Sequence, residues 1–392
     1  MSYVLKRKIP PLLKYPGGKN KELNNIIEKL PRIINNYYEP FVGGGAVYFA
    51  LDCSKYFIND KSTELMNVYH SVANRNQDLL YILEQFDHNW IVMSNVIDNH
   101  SQELIDIYFS HKIGAVSSPS LRKIIHGFVS LNADEFNGML QPTFNVRIDN
   151  FVEELEKCIV NKMVRMKKIE IKKGDLSHAD LLRNIEVSFK GAFYMHFRFL
   201  YNIKNELLQN NEITMGYATA LFVFIRQYCY SSMFRFNRNG DFNVPYGGIS
   251  YNRKSLRNNI SNYRSESMAE HMSKTVLGNM DFYEFMREYV PQENDFVFLD
   301  PPYDTEFSTY DKNEFTQNDQ VRLADYLINE CNANFMLVIK NTEFISSLYP
   351  VGQVTVNGGA ICISSFKKKY FVSFQDRNDK DAEHLVITNY AV

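Results

Sequence analysis

Apolar positions along the chain follow two different periods. Towards both ends they gather into short continuous runs at 37–42, 56–59, 296–299, 335–339 and 385–390, bounded by Gly, Pro, Asn or Asp. Runs of that length, rich in aromatic and β-branched residues, predict buried strands. Between and after them the apolar residues recur every three or four positions, which predicts helices at 21–30, 46–51, 62–69 and 316–331. From about 67 to 225 the pattern is almost wholly helical, with amphipathic stretches at 77–86, 97–108, 151–166 and 178–182. Ser, Pro, Asn and Gly at 117–120 and 137–142 predict loops there. Strand–helix alternation at both ends around a long helical block predicts an α/β sheet interrupted by an insertion. The expected boundaries are 1–66 for the first part of the α/β domain, 67–260 for the helical insertion and 261–392 for the remainder.

Four turns break this pattern in ways that suggest chemistry. Lys14-Tyr15-Pro16-Gly17-Gly18-Lys19 precedes a helix, so its glycines would let the backbone approach a ligand beside free helix amides. A plain turn explains the same residues. Glu39-Pro40-Phe41-Val42-Gly43-Gly44-Gly45 joins a strand to a helix, the first half of a nucleotide-type unit, and Asp60 ends the next strand where a carboxylate can hold ribose hydroxyls. Asp60 could equally cap the helix that follows. The triple glycine matches neither the spaced dinucleotide fingerprint nor a phosphate loop, which favours a nucleoside over a polyphosphate.

The fourth turn is Asp300-Pro301-Pro302-Tyr303, straight after the run at 296–299. Proline lacks an amide donor, so pairing must stop there in a stiff loop. Such a loop presents a carboxylate, a fixed carbonyl and an aromatic ring together, a set suited to gripping a flat, amine-bearing group. Further along the helical block, Asn239-Gly240 lies between runs holding Phe and Val and predicts a β-hairpin. Its Arg235 and Arg238 are residues able to read guanine from the major groove.

Composition narrows the class. A chain of 392 residues with 45% hydrophobic and 22% charged residues is an ordinary globular protein, and no run approaches the ~20 apolar residues of a membrane helix. The basic start has no apolar stretch behind it, so a cytoplasmic location is expected. A net charge of -2 gives no general affinity for phosphate, so nucleic-acid binding needs a local basic face. Candidate faces are Lys167, Lys168, Lys172 and Lys173; Arg253, Lys254 and Arg257; and Lys367, Lys368 and Lys369. The five cysteines are scattered without Cys-x-x-Cys pairs, and the nine histidines are dispersed, so neither a disulfide framework nor a metal site is expected. His196, among aromatics, reads as a core or interface histidine.

Taken in order, these motifs resemble the DNA adenine methylase (Dam-like) family, α-group adenine-N6 DNA methyltransferases. The matching pieces are 14–19, 39–45, 58–60, 235–247, 300–303 and 383–390, whereas about 89–213 is much longer than its counterpart in the smaller family members and no residue roles carry over to it. The resemblance implies a Rossmann-like S-adenosylmethionine-dependent methyltransferase sheet with an inserted, mostly helical target-recognition domain carrying the hairpin. It implies S-adenosyl-L-methionine bound by Tyr15, Gly17, Gly18, Lys19, Phe41, Gly43, Gly45, Asp60, Asp281, Phe282 and Asp300. It implies catalysis by Asp300, Pro301, Pro302 and Tyr303 on an adenine flipped out of the duplex. Lys14, Tyr230, Arg235, Asn237, Arg238 and Pro245 would contact double-stranded DNA. A separately encoded restriction endonuclease is the partner such enzymes often accompany. Many relatives carry Asn-Gly where this chain has Ser231-Ser232, which leaves the recognition word open. An aminomethyltransferase acting on RNA or protein glutamine, and a non-catalytic DNA-binding module, are the alternatives; a nicotinamide oxidoreductase is disfavoured by the glycine spacing. Substituting Asp300 by alanine is expected at this point to abolish methylation with the fold intact.

Overall fold

In a computed structural model of the chain, residues 9–15, 17–139, 145–303, 315–369 and 381–392 are described. They divide into two compact units, one made of residues 1–75 and 262–392, the other of residues 76–261.

The first unit is built on a sheet of β1 (Asn36–Glu39), β2 (Lys55–Asn59), β3 (Thr275–Gly278), β4 (Phe296–Leu299), β5 (Asn334–Lys340), β6 (Cys362–Lys369) and β7 (Asp381–Thr388). Their spatial order is β3-β2-β1-β4-β5-β7-β6. β1 to β5 pair in parallel, with Tyr37 opposite both Tyr56 and Phe296, and β7 runs antiparallel between β5 and β6. All four residues of β4 are buried, as its continuous apolar run requires of a central strand covered on both faces. Strand order reverses between β1 and β4, so the crevice beyond their carboxyl ends is the switch point where α/β sheets bind ligands.

Two strands had no sequence signal. β3 is only Thr-Val-Leu-Gly and mostly half-buried. β6, Cys-Ile-Ser-Ser-Phe-Lys-Lys-Lys, is an edge strand, and exposed Lys367 on it discourages further pairing, a structural reason for that residue. The first helices are shorter than expected: 21–30 becomes Leu23–Ile27, and 46–51 a single 3₁₀ turn at Tyr48–Ala50. Tyr48, Phe49 and Ala50 are all buried, so packing rather than helical periodicity spaces them. Position 66, the expected boundary, falls inside helix Thr63–Ala73; its Leu65, Met66, Val68, Tyr69 and Val72 are buried, and it packs on β3 and on helix Glu266–Ser273. The division therefore comes after that helix.

The second unit comprises helices Gln77–Asn99, Ser101–Lys112, Ser118–Leu131, Ile148–Lys173, His178–Asn202, Lys204–Gln209 and Met215–Tyr228, followed by the hairpin. The expected loop at 117–120 is instead a helix start. Ser117 accepts the Ser120 amide at 3.3 Å, and Pro119 sits in the first turn, where its missing N–H costs nothing. The other expected loop, 137–142, begins in a 3₁₀ segment, Ala133–Met139, and residues 140–142 lie outside the described residues. The core of this unit is aromatic: Phe86, Trp90, Phe193, Phe197, Phe224 and Tyr228 have neighbouring ring centroids 4.3–5.7 Å apart. His196 belongs to it, fully buried, 3.1 Å from Asn150 Oδ1, and burial pushes its pKa down to about 3. No described helix is long and apolar enough to cross a membrane.

Candidate active site

Asp300 is the first residue beyond β4, so its carboxylate stands at the switch point. It forms an ion pair with Lys19, whose ammonium also donates to the Gly17 carbonyl at 3.3 Å and to the Tyr303 hydroxyl at 3.3 Å. Lys19 is 2% exposed and Asp300 19%, so this pair is nearly shielded but open on the carboxylate side. Three residues from opposite ends of the chain thus meet in one cluster. The loop that carries them is anchored from beneath: buried Gln320, on helix Gln317–Asn329, donates to the Pro302 carbonyl at 2.9 Å. Pro301 is buried, and the Tyr303 ring meets His384 edge-on at 5.4 Å.

The glycine turn after β1 is held by β2. The Gly43 amide donates to Asp60 Oδ2 at 3.0 Å, the Ser62 amide to Asp60 Oδ1 at 3.0 Å, and the Tyr69 hydroxyl to the Gly43 carbonyl at 3.0 Å. Asp60 is not the helix cap; Ser62 is, accepting the Leu65 amide at 3.4 Å. Gly45 has φ +75°, and a Cβ there would lie 2.7 Å from the Tyr69 hydroxyl and 2.8 Å from the Phe49 ring. A Cβ on Gly44 would lie 2.9 Å from the Leu13 carbonyl, and one on Gly43 3.2 Å from the Tyr15 ring. Tyr15 therefore lies directly on the glycine turn, and the 13–15 segment leaves no room there for any side chain. Gly17 and Gly18 are exposed, Gly17 at φ +76° with open space around it.

Phe41, Phe282 and Phe315 form an aromatic group with centroids 5.4–5.8 Å apart beside the same end of β1. Asp281 caps helix Phe282–Glu288 through the Tyr283 amide at 3.0 Å and pairs with Arg322 at 2.8 Å. All the residues expected to meet the cofactor are in the first unit; Gly18 is exposed and, among the described residues, bonds only back to the Tyr15 carbonyl, at 3.2 Å.

Several supporting residues escaped the sequence reading. Asn59, buried at the end of β2, donates to the Pro40 and Met280 carbonyls at 3.1 and 3.0 Å and accepts the Met280 amide at 3.0 Å, tying together the loops after β1 and β3. Asn279 holds the Asp60 carbonyl at 2.9 Å. Glu39, at the tip of β1, is buried and accepts the Tyr37 hydroxyl at 2.8 Å. Burial raises its pKa well above the carboxylate range; the Tyr37 hydrogen bond opposes the shift, and the charges of Asp300 and Asp60 add to it. Glu39 and Asn59 lie in the pieces 39–45 and 58–60 singled out above but had no role there; nothing in local composition marks Asn279 or Gln320, because each acts on a segment distant in sequence. Among the described residues no cluster of His, Cys, Asp or Glu is placed to hold a metal ion.

In the second unit the expected hairpin is present but has almost no ladder. Antiparallel bridges link Phe236 with Phe242 and Cys229 with Tyr246, and the loop is the three residues 238–240 closed by Gly240 at φ +81° rather than a two-residue Asn-Gly turn. Asn237 Oδ1 accepts the amides of Asn239 and Asp241 at 2.9 Å, which selects the longer loop. Alternation is clear: Phe234, Phe242 and Val244 are buried, whereas Arg235, Asn237, Arg238 and Pro245 are exposed. Arg235 Nε donates to Asn243 Oδ1 at 2.9 Å. Tyr230 is 43% exposed, and the two residues after it, Ser231 and Ser232, both have positive φ. Lys14 belongs to the first unit and is exposed. Of the other basic candidates, Lys254 donates to the Gln227 carbonyl at 3.1 Å and Lys167 to the His111 carbonyl at 2.8 Å, so both serve the unit's own fold.

A mostly parallel seven-stranded sheet with one antiparallel strand and a switch-point cluster defines a methyltransferase-type α/β fold. The family model for D12 class N6 adenine-specific DNA methyltransferases matches residues 15–168 and 167–355, and the chain belongs to that family. Among similar proteins is "Type II methyltransferase M.MjaIII" of Methanocaldococcus jannaschii, 24% identical over 87% of this chain and 88% of that protein. "Type II methyltransferase M.CviBI" of Paramecium bursaria Chlorella virus NC1A is 32% identical over 43% of this chain and 60% of its own length. "Retron Ec67 DNA adenine methylase" of Escherichia coli is 30% identical over 38% of this chain and 50% of its own length.

Proposed function

We propose that the protein transfers a methyl group from S-adenosyl-L-methionine to N6 of adenine at a specific word in double-stranded DNA, as a site-specific adenine methyltransferase (EC 2.1.1.72) of a restriction-modification system. The carrying observation is Asp300, fixed at the tip of β4 at the switch point and followed by the anchored Pro301-Pro302-Tyr303 loop. The type II names of two relatives support the restriction-modification setting, with a separately encoded endonuclease as partner. Action on DNA places the enzyme in the cytoplasm, at the nucleoid of a bacterial-type cell.

The residues fit a nucleoside cofactor. The Gly43–Gly45 backbone carries no side chains, Asp60, after β2, is the carboxylate that would hold ribose hydroxyls, and Phe41 and Phe282 would offer apolar faces to a purine, with Asp281 at the cap beside them. Tyr15, Gly17, Gly18 and Lys19 would meet the same cofactor, with Lys19 on Asp300. When bound, S-adenosylmethionine supplies an electrophilic methyl on a sulfonium.

The chain's own task is to make adenine N6 nucleophilic. Its lone pair is delocalised into the ring until acceptors draw the two N6 hydrogens out of plane. The Asp300 carboxylate and the Pro301 carbonyl accept those hydrogens and aim the lone pair, and Tyr303 presents its ring to the flipped base. Positioning and charge complementarity do most of this work. Lys19 must yield part of the Asp300 carboxylate when adenine enters, and the Gly17 carbonyl and Tyr303 hydroxyl are its remaining acceptors. The helical unit, expected at 67–260, serves as target-recognition domain, with Arg235, Asn237, Arg238 and Pro245 on the hairpin, Tyr230 beside it and Lys14 from the other unit as DNA contacts.

Incubation with methyl-labelled S-adenosylmethionine and, separately, duplex DNA, RNA or protein, followed by hydrolysis, tests this reading. Label in N6-methyladenine from the duplex is expected. Label in RNA or glutamine, or affinity for a nicotinamide cofactor instead, would overturn it.

A further inference from the structure

Helix His178–Asn202 carries polar side chains at every fourth position from 186 to 202: Glu186, Lys190, Tyr194, Arg198 and Asn202. Residues four apart share one helix face, so the five form a single stripe. That stripe meets the segment at 242–252, the hairpin's return limb and its exit. Asn202 grips the Phe242 backbone twice, accepting its amide at 2.9 Å and donating to its carbonyl at 3.1 Å. Tyr194 and Arg198 both donate to the Val244 carbonyl, at 2.9 and 3.3 Å. Lys190, 3% exposed, donates to the Asn252 carbonyl at 2.5 Å and pairs with Glu186 at 3.0 Å; Glu186 in turn accepts the Asn252 side-chain amide at 2.9 Å.

The hairpin has isolated bridges where most hairpins have a ladder. Its two limbs bond at Asn237–Asp241 and Asn243–Arg235, and the groups that face away from the opposite limb, the Phe242 amide and carbonyl and the Val244 carbonyl, are satisfied by this helix. A strand held by side chains of a 25-residue helix takes its position from that helix.

We propose that the stripe at 186, 190, 194, 198 and 202 is a positioning device that fixes where the hairpin presents Arg235 and Arg238, and so sets affinity and sequence discrimination without touching DNA. The inference rests on the reading of the protein as a DNA adenine methyltransferase. Its Tyr194 and Asn202 rungs act through backbone carbonyls and an amide, so they constrain the hairpin whatever its side chains are. Loosening them leaves the arginines present but poorly aimed, which weakens and blurs recognition without altering the chemical step.

The test uses the full chain as wild type, Tyr194→Phe, Asn202→Ala and the double variant, on a duplex holding the methylated word and on duplexes with one base pair replaced. Expected are a rise of about tenfold in KM for DNA with Asn202→Ala and a fall in discrimination between words. KM for S-adenosylmethionine and kcat at saturating DNA should stay within about twofold of wild type, since those depend on the other unit. Hydrogen exchange at the Phe242 amide, which Asn202 accepts, should quicken in Asn202→Ala while the helix amides stay protected. Unchanged DNA KM and discrimination would overturn the proposal. So would a parallel loss of cofactor affinity, the signature of general unfolding, or an unaltered Phe242 exchange rate. A wild type that methylates no DNA at all would instead remove the reading on which the proposal stands.

Discussion

Replacing Asp300 by alanine removes the partner of an ammonium that is 2% exposed. Breaking a buried ion pair from one side costs about 3–5 kcal/mol, because the remaining charge is left uncompensated. Two features reduce that here: the carboxylate retains 19% exposure, and Lys19 keeps hydrogen bonds to the Gly17 carbonyl and the Tyr303 hydroxyl. The expected loss is therefore about 2 kcal/mol. For a unit of about 200 residues that lowers Tm by roughly 4–8 °C. Lys19→Met combined with Asp300→Ala should recover most of the loss, to within about 1 kcal/mol of wild type, since a buried pair replaced by apolar groups is often neutral. Both Asp300 variants lose methylation; only the single one loses stability. Differential scanning calorimetry of the four proteins of this cycle reads the coupling directly. Asp300→Ala melting with wild type, or a double variant no more stable than the single one, would refute the argument. The sequence alone led to the expectation that Asp300→Ala keeps the fold intact; the burial of Lys19 against Asp300 adds that it does so at reduced stability.

Glu39→Gln should stabilise the protein above pH 5, increasingly so as pH rises. The folded-state pKa of Glu39 is raised, so the unfolded chain releases this proton first and wild type loses stability with rising pH through that window. Melting curves of both proteins from pH 5 to 8 should diverge with pH, and parallel curves would count against a raised Glu39 pKa. Ser231→Asn with Ser232→Gly should raise Tm, because both serines sit at positive φ, about 1 kcal/mol uphill each, and Asn-Gly suits that backbone. A fall in Tm would show that the serines make contacts worth more than the strain.

Much of the first unit was legible because its central strands are short apolar runs rich in aromatic and β-branched residues, as at Phe296–Leu299 and Asn334–Lys340. β3 and β6 were not, since one is four residues long and the other is a polar edge whose place depends on β7. In the helical unit, Ser117 and Pro119 are helix-start residues and loop residues alike, and only the buried Leu121, Ile125 and Phe128 beyond them decide between the two. The stiff loop of Asp300-Pro301-Pro302-Tyr303, on which the proposed chemistry rests, could be read from four letters. That Lys19 binds it, Gln320 anchors it and Asn59 ties the neighbouring loops could not, because those contacts span 18 to 281 residues of sequence. The hairpin was visible in Asn239-Gly240, whereas its attachment by Asn202 appears only when the helix face is known.

The central claim is that Asp300 and its loop grip adenine N6 for methylation. Sequencing that detects modified bases, applied to plasmid DNA from cells producing either wild type or Asp300→Asn, tests it most directly. Asn keeps an acceptor for Lys19, so the variant should fold while losing the negative charge that holds the amine. The account predicts N6-methyladenine at one defined word with wild type and none with Asp300→Asn. Unmodified adenines with wild type, methylated cytosines instead, or equal adenine methylation by the folded variant would contradict it.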